Sequence, residues 1–141
     1  MSAKKVYILP CSGVGKVFGS IGREASYIVV NELAKEKAKI SCLPLVVKGK
    51  KELIDDIKDN HVIVVDGCPA KCSYNDVKAA TGKEPEGQFL STEVVKYNRD
   101  LKPEPNILPM GDNAKKLSRM FAENIKKKVD EILDSDKKGD E

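Results

Sequence analysis

Three short apolar runs constrain the fold of this chain more than any other feature of its sequence. Residues 6–9 read VYIL, residues 40–43 read ISCL and residues 62–65 read VIVV. Short apolar runs of this kind are typical of strands, and the last resembles a strand that is buried on both faces. Helical patterns fill the stretches between them. The sequence therefore predicts a parallel sheet whose strands are connected by helices.

The predicted elements alternate along the whole chain. Strands are expected at residues 4–9, 39–43 or on to 47, 61–65 and 88–91, and helices at residues 20–37, 51–60, 70–80 and 113–133. The stretch 93–110 contains three prolines and has no clear period, so it is expected to be mainly a long loop.

This order predicts an α/β fold, a single-domain doubly wound parallel sheet of about four strands with flanking helices. The expected strand order is 2-1-3-4, as in flavodoxin-like and other Rossmann-like folds. The 141 residues fit one domain. We expect residues 1–134 to form it and residues 135–141 to be a flexible charged tail.

All four cysteines lie near predicted strand ends. Cys11, Cys42 and Cys68 follow or end the first three strands, and Cys72 comes four residues after Cys68. In an open parallel sheet, ligands bind at the carboxyl ends of the strands. If the last two cysteines lie on a helix, this spacing puts them on one face. The four thiols are therefore expected to converge on one site, as a metal or a redox centre requires.

The composition is typical of a soluble globular protein, with 40% hydrophobic and 33% charged residues. No apolar run approaches the roughly 20 residues of a membrane span, and the N-terminus lacks a signal-peptide pattern, so a cytoplasmic location is expected. In that compartment, spaced cysteines more often bind metal or react than form disulfides. The small net charge of +3 and the 5% of aromatic residues do not support nucleic-acid binding.

The glycine-rich segment after the first strand, residues 10–16, reads PCSGVGK. A phosphate-binding P-loop would need glycine at Pro10 and a hydroxyl residue at Val17, and a low-molecular-weight phosphatase loop would need arginine at Val17. Both interpretations therefore fail. A glycine-rich turn that enters a helix still offers backbone N–H groups that favour a thiolate at Cys11. Ser12 and Gly13 are candidate loop residues of the site.

Asp66 and Gly67 connect the third strand to Cys68. Gly67 is expected to adopt a backbone conformation closed to other residues. Asp66 is expected to accept N–H bonds from the turn or to support a metal ligand, unless it is a turn carboxylate without a chemical role. His61 opens the third strand at the end opposite the cysteines and is expected to pack at an edge. No catalytic residue is assigned.

At these residues the chain resembles the DGC-domain family, which is described as zinc-binding and named for a motif seen here as Asp66-Gly67-Cys68. The resemblance covers about residues 5 to 95. Its other landmarks are residues 11–13, which read CSG, together with Cys42, Pro69 and Cys72. It implies that the chelating residues are Cys11, Cys42, Cys68 and Cys72.

The first hypothesis is a small cytoplasmic protein that holds zinc through these four cysteines. Thiolate ligands also suit iron–sulfur clusters and copper(I), but not magnesium or calcium. The second is a thiol enzyme for redox chemistry or sulfur transfer, with Cys11 as nucleophile and Cys68 or Cys72 as the resolving thiol. A third is an α/β domain whose anion-binding loop holds a small ligand. A metal ion is the expected partner, neither nucleic acid nor a membrane is expected, and the sequence assigns no protein partner or oligomeric state.

Overall fold

A computed structural model describes residues 4–10, 17–41, 43–67, 71–106 and 109–139. The elements in these ranges are β1 (Val6–Pro10), α1 (Val17–Ile28) with a π-helical continuation (Val29–Leu33), β2 (Ala38–Ile40), α2 (Leu43–Lys48), α3 (Lys51–Asp59), β3 (His61–Asp66), α4 (Cys72–Thr81), β4 (Gly87–Leu90), α5 (Ser91–Tyr97) and α6 (Asp112–Gly139).

The four strands form one parallel sheet in the order β2-β1-β3-β4, which confirms the predicted fold class and strand order. Val6 pairs with Ala38 of β2 on one side and with His61 of β3 on the other. At the opposite end of β1, Pro10 pairs with Val65. β1 and β3 are therefore the central strands, and all carboxyl ends lie at one edge.

Side chains of the two central strands alternate between two hydrophobic clusters, as the pleat of a strand requires. The cluster beneath α1, α5 and α6 includes Val6, Ile8, Ile63, Val65, Ile21, Ala25, Val94, Leu117, Phe121 and Ile125. The cluster beneath α2, α3 and α4 comprises Leu9, Val62, Val64, Val46, Ile57 and Val77. Each fully buried aliphatic side chain contributes about 1.5–3 kcal/mol, so the folded state rests on both faces of the sheet.

The second strand is shorter than predicted. It ends at Ile40, and residues 43–48 form a helix where the sequence favoured a strand reaching residue 47. Pro44 lies in the first turn of α2, where a helix tolerates proline, whereas a strand would lose a ladder hydrogen bond there. Packing of Val46 into the core fixes the helix, while Leu45 and Val47 face solvent.

The interpretation of residues 93–110 as mainly loop is wrong at its beginning. Residues 91–97 form the short helix α5, and the irregular segment starts only at Asn98. The first proline of the stretch is Pro103, which leaves room for two helical turns before it. Burial of Val94 against the core stabilises those turns.

The last helix, α6, is longer than predicted, since it begins at Asp112 and continues to Gly139. Its buried stripe contains Leu117, Phe121, Ile125, Val129 and Ile132. None of the helices in the described ranges combines the length and the apolar character of a membrane span. The expected flexibility of residues 135–141 stays a prediction.

Glu104 caps the start of α6 from the irregular segment that precedes this helix. Its two carboxylate oxygens accept hydrogen bonds from the backbone N–H groups of Asn113 and Ala114, at 3.1 and 3.2 Å. These N–H groups have no partner within the helix, and the helix dipole favours a negative charge beside them. The bond from Asn113 is the main reason that the pKa of Glu104 lies below its ordinary value.

His61 lies at the amino edge of the sheet, away from the carboxyl ends of the strands, as predicted. Its Nε2 atom is 2.5 Å from an oxygen of Asp136 in α6, and Nδ1 is 3.4 Å from an oxygen of Glu86. The other oxygen of Glu86 accepts the backbone N–H of Val62 at 2.6 Å. These contacts connect the last turns of α6 to the beginning of β3.

We expect Glu104→Gln to lower the thermal unfolding midpoint at pH 7 and to have a smaller effect at pH 3. The folded-state pKa of Glu104 is depressed, so its stabilisation is present above the unfolded pKa of about 4.3 and is lost as the pH falls through the folded value. Circular dichroism melts at several pH values test this. Glu123→Gln, at an exposed position of α6, is the matched control. A destabilisation independent of pH would contradict the charge-based cap.

Candidate functional site

The carboxyl edge of the sheet is where the described part of the chain approaches the predicted thiol site. Pro10 ends β1, and Ser41 follows β2 and donates its N–H to the carbonyl of Ile8 at 3.0 Å. Gly67 follows β3. These three residues directly precede Cys11, Cys42 and Cys68 in the sequence. They lie at the ends of three adjacent parallel strands.

Several predicted site residues lie outside the described residues, namely Cys11, Ser12, Gly13, Cys42 and Cys68. Among the described residues, no group of three or more histidine, cysteine, aspartate or glutamate side chains is arranged to hold a metal ion. Of the four candidate ligands, this part of the chain contains Cys72. The chelating set as a whole therefore stays a prediction.

Cys72 is exposed and is the first residue of α4. The residue before it, Lys71, has a left-handed backbone conformation with φ of 54°. Few residues other than glycine adopt this conformation, which breaks the helical path before Cys72. The helix predicted at residues 70–80 therefore begins two residues later, at Cys72, whereas Cys68 lies outside the described residues.

Asp66 fixes the beginning of α4. Its side chain is 1% exposed, and its oxygens accept the N–H groups of Ser73 at 2.8 Å and Tyr74 at 3.4 Å. A carboxylate at this point satisfies N–H groups that have no partner within the helix and matches the helix dipole. This confirms the expectation that Asp66 accepts N–H bonds at the turn. Its support of a metal ligand stays a prediction.

Gly67 is required for a different reason from the one expected. It does not have a positive φ, unlike Gly49 and Gly82. An added Cβ would instead lie 2.8 Å from both the N and the Cα atoms of Gly19 in α1. Because these are backbone atoms, they cannot move aside as a flexible side chain would. The end of β3 therefore touches the backbone of α1 at a contact that needs glycine.

Two serines at this edge were missed as candidates from the sequence. Ser73 is fully buried, and its hydroxyl oxygen has no hydrogen-bond partner among the described residues. The hydroxyl oxygen of Ser41 is also buried and lacks a partner in the same part of the chain. Their positions beside cysteines could have identified them in the sequence, since Ser41 precedes Cys42 and Ser73 follows Cys72.

A comparison with protein-family models matches the DGC domain over residues 7–117. The match spans all four cysteines and most of the chain. No curated protein matches the chain, and no solved structure matches it either.

We expect Gly67→Ala to destabilise the fold by about 1–3 kcal/mol, as overpacking does when a methyl group meets fixed atoms. Gly82→Asn is the matched control. A Cβ added at Gly82 would have nothing within 4 Å, and asparagine tolerates a φ of 73°, so the effect should be small. Urea unfolding of both variants tests the contact. Equal, small effects would show that α1 can move away from β3.

Proposed function

This chain belongs to the DGC-domain family, and we propose that it is a small metal-binding protein that holds zinc through Cys11, Cys42, Cys68 and Cys72. One observation carries the proposal. The residues that directly precede three of these cysteines lie at the carboxyl ends of β2, β1 and β3, which are neighbours in the sheet. The fourth cysteine opens α4, whose first N–H groups are bound by Asp66 at the end of β3.

The spacing of the strands supports convergence of the thiols. Neighbouring strands lie about 4.8 Å apart. With metal–sulfur bonds of about 2.3 Å, two sulfurs of a tetrahedral zinc site lie about 3.8 Å apart. Cysteines that follow adjacent strand ends are therefore within reach of one ion. Cysteines scattered over different edges of the sheet would be too far apart to bind one ion.

The donor chemistry supports zinc over hard cations, because four thiolates suit soft or borderline metals. A zinc ion held by four thiolates has a closed coordination sphere and would serve to fix the loops at the edge. The buried serine hydroxyls fit such an ion, since thiolate sulfur can accept their hydrogen bonds. An iron–sulfur cluster uses the same donor set and is distinguished by experiment.

A thiol enzyme is the second candidate, and the exposure of Cys72 favours it. In this alternative Cys11 attacks a substrate disulfide, forming a mixed disulfide and releasing the first substrate thiol. Cys68 or Cys72 then attacks the Cys11 sulfur and releases the second substrate thiol. Two protein thiols become one disulfide while the substrate disulfide becomes two thiols. For either candidate we expect a cytoplasmic location, because thiols stay reduced in that compartment.

We expect the reduced chain to bind about one zinc ion per molecule and to remain colourless. Binding should weaken on acidification, because each cysteine must lose a proton to become a ligand. Metal analysis of anaerobically purified protein with a visible spectrum measures both. A brown protein with charge-transfer bands would favour the iron–sulfur cluster. Failure to bind either metal in stoichiometric amount would favour the thiol enzyme.

We expect Cys68→Ser to abolish zinc binding and to leave the fold intact. The two apolar clusters are built from residues other than cysteine in the described ranges, so the core does not depend on the metal. Stability should fall by no more than the free energy of zinc binding at the concentration used plus a local packing cost. The far-ultraviolet circular dichroism should match that of the wild type.

The matched control for Cys68→Ser is the wild-type chain treated with a chelator. Both samples should keep the helical signal. Collapse of that signal in either sample would mean that the metal is the scaffold of the fold, as in small zinc fingers.

A further inference from the structure

His61 presents each of its two ring nitrogens to a carboxylate at the amino edge of the sheet. Its Nε2 atom lies 2.5 Å from an oxygen of Asp136 in α6. Its Nδ1 atom lies 3.4 Å from an oxygen of Glu86 and is buried without a hydrogen-bond partner among the described residues. The side chain of His61 is 14% exposed, so the protein, more than water, decides which of these contacts the ring can satisfy.

A neutral imidazole can donate to only one of the two carboxylates. One of its nitrogens then carries a proton and the other is an acceptor, whereas the charged ring donates from both. At 2.5 Å a proton must lie between Nε2 and Asp136, so a neutral ring would turn the lone pair of Nδ1 towards Glu86. The arrangement around His61 therefore fits the charged ring better than the neutral one.

Glu86 is fixed by contacts that do not involve the ring. One carboxylate oxygen accepts the backbone N–H of Val62 at 2.6 Å, and the backbone N–H of Glu86 donates to the carbonyl of Val62 at 3.0 Å. The ammonium group of Lys83 lies 3.6 Å from the other oxygen. These contacts remain when His61 loses its proton, so Glu86 stays at the start of β4.

Asp136 lies beyond the apolar packing of α6. Ile132 is buried in the core and Leu133 packs against it. Residues 134–139 read DSDKKG and contain no apolar side chain, although the helix continues to Gly139. A helix end without burial frays easily. The contact with His61 is thus the described side-chain contact that joins this last turn to the sheet.

The other charged groups on the segments around His61 keep their charge while the ring titrates. Histidine changes charge between about pH 5 and 8, whereas lysine and carboxylate side chains ordinarily titrate outside that range. On the segments before β1 and β4 and on α6, the charged residues other than Glu86 and Asp136 include Lys5, Lys83, Lys128, Glu131 and Asp134, and two lysines follow Asp136 in the sequence. Lys5 contacts His61 through its backbone carbonyl, which accepts the His61 N–H at 3.0 Å.

We propose that His61 is a proton-controlled latch for the last turn of α6. The charged ring holds Asp136 against the amino edge of the sheet, and the neutral ring releases it. The contact should be strongest at about pH 5–6, where the ring is charged and the carboxylates are still ionised, and should weaken as the pH rises. Residues 134–139 then detach while the helix up to Leu133 stays packed. The latch lies at the edge opposite the cysteines and does not depend on the proposed metal site.

The test follows the backbone of α6 in the full chain by NMR from about pH 5.5 to 8.5. His61 is the only histidine of the chain, so the imidazole signals give one titration curve. We expect the Cα chemical shifts of residues 135–139 to be helical at the acidic end and to move towards random-coil values with the midpoint of that curve. The shifts of residues 121–132 should stay constant.

Asp136→Asn removes the charge that the ring holds, at a position beyond the core, so the fold should be preserved. In this variant the shifts of the last turn should no longer follow the titration of His61. Asp134→Asn is the matched control, because it removes the same charge from an exposed position of the same turn. It should keep the pH dependence of the wild type. His61→Gln should show the released last turn at every pH.

Three results would overturn the latch. The first is a last turn whose shifts stay constant while His61 titrates, or a ring that does not titrate in this range. The second is a pH dependence that persists in Asp136→Asn. The third is its loss in Asp134→Asn as well, which would mean that the total charge of the helix end, and not the contact with His61, controls the last turn.

Discussion

Pairing of β1 on both of its edges is the constraint on which the rest of the structure depends. A strand hydrogen-bonded to β2 on one side and β3 on the other cannot slip without exposing its apolar side chains on both faces. Because the three strands are parallel, their carboxyl ends come together at one edge. The residues that directly precede three of the cysteines thus lie at that edge because of the strand order, and the helices on both faces hold that order in place.

Three described residues from the end of β3 to the start of α4 fix the direction of the chain at this edge. The buried Asp66 carboxylate holds the start of α4, Gly67 lets the backbone of α1 approach, and Lys71 turns the chain in a left-handed conformation. Each device fixes the direction of the chain on one side of Cys68. The position of Cys72 is therefore set by the left-handed residue before it and by the bonds of Asp66 to the two residues after it.

The sequence predicted those features whose signal is local. Residues 62–65 form an unbroken apolar run, and the apolar residues of α6 recur at helical spacing. Both signals are local, and both elements were predicted correctly. The helix at residues 43–48 was missed because its β-branched residues favour a strand, and only the packing of Val46 decides otherwise. Glu104 as a cap, the Gly67 contact with Gly19 and the buried hydroxyl of Ser73 depend on how separate segments meet, and no local pattern records that.

The last helix, α6, extends well beyond the end of the family match. The family match ends at residue 117, whereas the helix continues to Gly139 and keeps burying side chains, among them Phe121, Ile125 and Val129. These residues cover the face of the sheet that α1 and α5 leave open. The folded core of this chain thus extends beyond the stretch that matches the family. A chain cut at the end of the family match would therefore leave that apolar face of the sheet exposed to water.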